Sequence, residues 1–463
     1  MAQPQEYKLE EVILDADRDF DLGGLPGKTK LAEPLNLKMM VVEVNLFESI
    51  ERGYVTSTLG VVDDLGLLTE VVELQGTERI RLKIVALGKG LEDDEIELNM
   101  KVVSIVSSAR QNDFSTVYYI NCISPYAYTD AAVKISRSYT GKMEDISESV
   151  LKDFLNVNVV KDPKFWTPGT ESIQDEAKVI LPYISPLETS EWLMERTTGK
   201  DGSPFFAWSN VHIQEGDDEN IYYGHLRTML NEGHKTAEKD KSYQFRYNIG
   251  LFTGSEVKYK NTRNSILEYK YSDNTENTLK MINQGTVGSN ITNLDTYTTQ
   301  KMDRHFNLEE YLDVLEGGEK LFSTVLDKDA KLTISGKQSS VTDLNARSRA
   351  TITSYGTYEW RSSYHDVYDQ TQLLNKIRKT SMMTMLHKNI LDVTLPGYDF
   401  MKKKIGVGEV VKLTFDSHMV DNAGAGEIDK RTSGYYLILS LRHLFQLSTH
   451  RVVASVAKFK DVE

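Results

Sequence analysis

The chain has 463 residues, room for roughly two to four domains of ordinary size, and 40% of them are hydrophobic, which excludes global disorder. Asp and Glu outnumber Lys and Arg 68 to 54, and the resulting net charge of −14 repels phosphates and argues against a sequence-reading nucleic-acid binder. The single cysteine, Cys122, excludes an intrachain disulfide and a multi-thiolate metal site within one chain.

Residues 1 to about 125 read as strands. The start, Met1 to Glu6, lacks a charged segment followed by an apolar one, so no signal peptide is expected and the product should mature in a reducing compartment. Gly23-Gly-Leu-Pro-Gly-Lys-Thr29 looks like a phosphate loop, but Leu22 occupies the position where such a loop needs its first glycine. An ordinary loop is expected there. Val42, Val44 and Leu46 alternate with Glu43 and Asn45; Ile80, Leu82 and Ile84 with Arg81 and Lys83; Ile96, Leu98, Met100 and Val102 with Glu97, Asn99 and Lys101. Period two with one polar face describes antiparallel strands on a core. The joints Leu87-Gly-Lys-Gly90 and Gln111-Asn-Asp113 suit a small meander or barrel. Cys122 sits in the strand-like run Val117 to Ile123 and reads as a small core hydrophobe.

After Pro125 the pattern changes. Val150 and Leu151 return one turn later as Phe154 and Leu155, which predicts a helix. Ser185-Pro-Leu-Glu188 opens another, with Ser185 as cap, Pro186 at the first position and Glu188 completing a capping box. Ser203-Pro-Phe-Phe-Ala-Trp-Ser209 reads as a buried strand. Residues 262–300 are rich in Asn, Thr, Ser and Tyr with little periodicity, which suggests an inserted excursion. Helical spacing returns at Leu308 to Leu315 and from Tyr368 to about His387, and strands close the chain: Val411 to Phe415, Tyr435 to Leu441 and Arg451 to Phe459.

No catalytic constellation emerges. There is no GxSxG elbow, since Ser289 has Val287 and Ile291 where glycines belong, and no HExxH. The adjacent acids Asp93-Asp94 and Asp217-Asp218 read as solvated turns. His443 and His450 flank the last turn, but no acid or thiol lies near them in sequence, so strand-surface or interface positions are expected rather than zinc.

The final hundred residues carry the most information. A helix around Leu373, Leu374 and Ile377 leads through Met382 to Val393 into Leu395-Pro-Gly397. Ile405-Gly-Val-Gly-Glu-Val-Val-Lys-Leu413 follows, then Ser433-Gly-Tyr-Tyr-Leu-Ile438 and Leu441-Arg-His-Leu-Phe445. In order and spacing this resembles the second tube-like barrel of baseplate hub proteins from contractile-tailed phages, a family related to the hub part of VgrG spikes. Ile184 to Leu193 followed by Ser203 to Trp208 resembles that family's helix-then-aromatic-strand segment, and the N-terminal meander resembles its first barrel in character.

The resemblance implies a mainly β chain with α+β insertions, two tube-like antiparallel β-barrels and a mixed α/β module. The expected limits are 1–128 for the first barrel, 129–235 for the mixed module, 236–262 with 370–463 for the second barrel, and 263–369 for an insertion with irregular, β and helical segments. It also implies a structural motif of the second barrel formed by Pro396, Gly397, Gly406, Gly408, Gly434, Tyr435 and His443, with no catalytic, cofactor-binding or metal-binding residue. The implied function is a homotrimeric, non-enzymatic virion hub assembled in the host cytoplasm. It would join a hexameric tail tube to a central spike beside neighbouring baseplate proteins, and pass DNA through its channel without specific binding or membrane insertion. A receptor- or carbohydrate-binding tail protein is the competing reading, and a tail-borne cell-wall hydrolase a third.

Overall fold

The computed structural model describes residues 6–15, 20–21, 30–31, 34–64, 66, 68, 74, 76–87, 94–110, 115–167, 177–212, 219–247, 263–274, 278–295, 299, 301–316, 331–334, 336–340, 347–353, 370–417 and 428–462. The phosphate-loop-like stretch and most of the joints at 87–90 and 111–113 lie outside these residues. The fold is mainly β, with a 13-stranded sheet at its centre and α/β elements beside it.

Six longer strands run through the first module, β1 (Tyr7–Asp15), β2 (Val41–Ser49), β3 (Thr56–Asp63), β4 (Arg79–Ala86), β5 (Glu95–Arg110) and β6 (Thr116–Ile123), and the two-residue strand Leu35–Asn36 lies on the far side of β1. Their spatial order is β2-β3-β6-β5-β4-β1, antiparallel throughout. The alternation in β4 and β5 is realised, with Ile80, Leu82, Ile84, Ile96, Leu98, Met100 and Val102 all buried in one core. Cys122 joins them, and burial pushes its thiol up to about 12. One expectation is corrected. Val42 does not share a face with Val44 and Leu46, because the register of β2 slips between Val41 and Glu43 and turns Val42 outward. An extra residue in one strand resets which side faces the core.

The mixed module holds α1 (Met143–Leu155), α2 (Pro186–Arg196), β7 (Phe205–Trp208), β8 (Asn220–His225) and α3 (Leu226–Lys239). In α2, Ser185 accepts from the Glu188 amide and the Glu188 side chain reaches back, so the capping box forms as read. Helix α1 buries Met143, Ile146, Val150, Leu151 and Leu155 along one stripe and ends at Asn156, whose φ of 56° supplies the left-handed stop.

The second module is formed by β9 (Gln244–Tyr247), β10 (Glu268–Asn274), β11 (Asn389–Pro396), β12 (Val410–Phe415), β13 (Gly434–Gln446) and β14 (Thr449–Asp461), with α4 (Gln370–Leu386) against it. Its spatial order is β10-β11-β14-β13-β12-β9. Numbered by position within each module, with the two-residue strand Leu35–Asn36 beyond β1 left aside, both read 2-3-6-5-4-1. The difference lies in the first strand: β1 runs antiparallel to β4, whereas β9 runs parallel to β12. Around the other side, the Arg246 amide donates to Asn264 O (2.9 Å) and the Ile266 amide to Arg246 O (3.0 Å), so the segment that enters β10 meets β9. Strand β10 lies inside 263–369, the span read as an insertion, and pairs with β11. Its sequence, Glu-Tyr-Lys-Tyr-Ser-Asp-Asn, has no aliphatic alternation to announce it. Of the other strands in that span, Gly288–Asp295, Lys301–Asn307 and Arg347–Thr353 form a separate sheet, and Lys331–Ile334 pairs with Lys337–Ser340.

Candidate functional site: the junction of the two barrels

The two modules share one sheet. Strand β13 is long enough to serve both: Gly434 to Leu437 pair with β12, and Ser440 to Gln446 pair antiparallel with Ser49 to Glu43 of β2. Between these halves its register against β14 slips at Ile438/Ser440, and such a bulge bends a strand and re-aims it. The tip of the β13–β14 hairpin then enters a gap in the first module. Ser448 O accepts from the Tyr7 amide (3.3 Å), and Glu6 bridges Thr449. Phe445, fully buried, sits in the core of the first barrel, edge-on to Tyr7 at 5.0 Å and stacked on His450 at 4.1 Å. The first barrel is thus closed by a finger of the second.

Beneath the finger lies a cluster of polar groups. His443 and His450 share a hydrogen bond of 3.2 Å, and His443 Nε2 lies 3.6 Å from Glu48 Oε1. Glu48 accepts from the Val211 amide (2.8 Å) and the Val407 amide (3.4 Å). One carboxylate of β2 therefore ties the first barrel to the mixed module and to the loop before β12. On the rim, Arg442 donates to Asn45 (2.8 Å) and lies 3.7 Å from Glu43. His443 and His450 are buried at the junction, not on a strand surface, because the acid that sequence proximity did not supply arrives from a strand nearly 400 residues earlier. Among the described residues, no group of three or more His, Cys, Asp or Glu could hold a metal ion.

The motif residues mark close approaches around this junction. A Cβ on Gly397 would lie 2.0 Å from His450 Nδ1, and one on Gly406 would lie 2.4 Å from Asn210 Nδ2. Gly408 has φ +89° and faces Trp208 at 2.6 Å. Pro396 ends β11 opposite Arg451. Gly434 and Tyr435 lie at the far end of β13: Gly434 is crowded by Lys458 and Lys460 O, and Tyr435 packs edge-on to His234 at 4.3 Å. Pro396, Gly397, Gly406 and His443 therefore lie near the junction, and Gly408, Gly434 and Tyr435 do not. Sequence reasoning missed Glu48, Asn210 and Phe445. The available signal was that Glu48 continues the core-facing alternation of Val44 and Leu46.

Burial, then the neighbouring His443 and Lys404, push His212 down to about 3, and burial holds His450 well below the usual histidine range. Both rings are neutral in the folded chain and take up a proton on unfolding below about pH 6.5. The unfolded state gains protons as pH falls, so these two groups cost stability on acidification. Burial pushes Glu219 up to about 7, and its contribution has the opposite sense, being present at low pH and lost as pH rises through 7. The readout is therefore a difference between variants. His212→Asn should make the fall in stability below pH 6, read from denaturant unfolding, shallower by about 1 kcal/mol per pH unit. Parallel profiles for the two proteins would rule out His212 as a source of the acid sensitivity.

No family model matches the chain, and no curated protein matches it. Similar solved structures include the 43 kDa tail protein of prophage MuSo2 from Shewanella oneidensis, at 10% identity over 97% of this chain and 98% of that one, with a TM-score of 0.49. A tail protein from Neisseria meningitidis MC58 matches at 10% identity over 97% of both chains, with a TM-score of 0.47. A chain of the Francisella PdpA-VgrG complex matches at 10% identity over 97% of this chain and 58% of that one, with a TM-score of 0.43.

Proposed function

We propose that this chain is a structural hub of a phage-type contractile tail, in which three copies form a ring of six β modules. The observation that carries this reading is the shared strand order of the two modules, set side by side in one continuous sheet. Two equivalent modules per chain allow a threefold ring to present a near-sixfold face, which fits a hexameric tube on one side while the threefold chain symmetry fits a trimeric spike on the other. The sequence resemblance of the last hundred residues points the same way. An acidic chain, at −14, suits a channel through which DNA slides without tight phosphate contacts.

The role asked of the protein is geometric, and no catalytic step is assigned to it. Multi-angle light scattering on the purified chain, alone and mixed with its spike, should give three times the 52.6 kDa chain mass in at least one of the two conditions. A persistent monomer in both would contradict the hub and favour a receptor-binding tail protein.

A further inference from the structure

We propose that the histidine cluster beneath the β13–β14 finger is an acid-operated latch: its protonation favours a state in which the finger is withdrawn from the first barrel while the second stays folded. The inference concerns a single chain and does not depend on the ring reading.

Three distant stretches of the chain bring imidazoles to one spot. His443 comes from β13, His450 from β14, and His212 from the mixed module. His443 and His450 stack at 5.4 Å, and His212 meets His443 edge-on at 6.2 Å. His443, His450 and Glu48 are at most 3% exposed, and His212 Nε2 is buried as well. The bond from His443 Nδ1 to His450 Nε2, at 3.2 Å, needs one donor and one acceptor. A protonated imidazole has donors at both nitrogens, so charging both rings turns this bond into a clash of two N–H groups.

The charges packed against the cluster leave little room for added protons. Glu48, from β2, faces His443 Nε2 at 3.6 Å and can offset one positive ring. Lys404, just after the short helix Tyr398–Lys402, acts on His212 with positive charge. On that helix Asp399 accepts from Arg263 Nε at 3.0 Å, and Phe400 stands edge-on to His443 at 6.3 Å. Towards β1 the neighbours are Phe445 and then Tyr7, and on the rim Arg442 is engaged by Asn45 and Glu43. Burial, with His443 adding repulsion, keeps His212 and His450 neutral in the closed state. They gain protons where water replaces the packing around them.

The finger is the part that can yield. The bulge at Ile438/Ser440 bends β13 where it leaves β12 and supplies a pivot. At the base, Pro396 pairs with Arg451 and the Gly397 amide donates to His450 O (3.2 Å), which ties the hairpin to β11. Withdrawal gives up the seven-pair ladder with β2, the Tyr7 bond to Ser448 and the seat of Phe445. It admits water to the histidines without disturbing the pairing of β11 with the centre of β14. Each histidine that charges only in the withdrawn state raises the opening constant by up to about tenfold per pH unit below about 6.5.

The test is amide hydrogen exchange on the full-length chain between pH 7 and pH 5, corrected for the intrinsic pH dependence of exchange. Exchange in β2 and at Tyr7 should rise by about tenfold or more from pH 6.5 to 5.5, while β11 keeps its protection. His212→Asn with His450→Gln should flatten that rise. Should this double variant lose β11 protection already at pH 7, Glu48→Gln takes its place. It removes the offsetting charge but keeps an acceptor for the Val211 and Val407 amides, and the rise should move to higher pH. Equal loss of protection in β2 and β11 would mean acid unfolding without a latch and would overturn the proposal. So would exchange in β2 that ignores pH, or a rise that the folded variant leaves unchanged.

Discussion

Phe445→Ala is expected to loosen the first barrel, although the residue belongs to a strand of the second, by about 3–5 kcal/mol. The ring is fully buried and belongs to the same apolar cluster as Val12, Val44, Leu46 and Tyr118, not to that of the second module. Truncation leaves a cavity walled by the rigid strands β1 and β2, which the hairpin tip cannot fill because backbone bonds hold it at Tyr7 and along β2. It also removes the aromatic face on which His450 stacks. In a chain of several modules a single unfolding free energy is poorly defined, so amide hydrogen exchange is the suitable measurement. Protection should fall in β1 and β2 while β11 and the centre of β14 keep theirs. A loss confined to the second barrel, or one below about 1 kcal/mol, would show that the finger does not close the first.

Gly408→Ala should cost about 3 kcal/mol or more, from two separable causes. At φ +89° a side chain meets backbone strain of about 1–2 kcal/mol. Its Cβ would also lie 2.6 Å from the fully buried ring of Trp208 and 3.0 Å from Met229. Trp208 has little room to shift, since Gly224 also lies close against its six-membered ring and Phe165 stands against it at 5.1 Å. Gly336 provides the control: it has φ +78°, and a Cβ placed there would meet nothing within 4 Å. Gly336→Ala should therefore show the strain alone. Equal losses in thermal midpoint for the two variants would mean that the contact with Trp208 adds nothing.

Much of the fold is legible where the physics is local. Alternation at Ile80 to Ile84 and at Ile96 to Val102, and the Ser185–Glu188 capping box, are decided by neighbours within a few residues, and the structure keeps them. The outward turn of Val42 was not legible, because a bulge depends on the partner strand as well as on the strand itself. Strand β10 was hidden for a related reason. Among the described residues it pairs with β11 alone, and its tyrosines, lysine and acids carry no core pattern. The junction was the least legible part. Glu48 reads as a surface acid until amides 163 and 359 residues away are seen to donate to it. The Leu447-Ser448 turn, with φ of 50° and 61°, carries neither of the glycine or asparagine signals that normally mark such a hairpin.

What unites these features is the repetition of one strand order in two halves of a single chain, joined along one sheet. Electron microscopy of the assembled particle, averaged without imposed symmetry, tests it most directly. The expected image is a closed annulus of six similar lobes from three chains. Three isolated pairs of lobes, or two lobe types of unlike shape, would contradict the account.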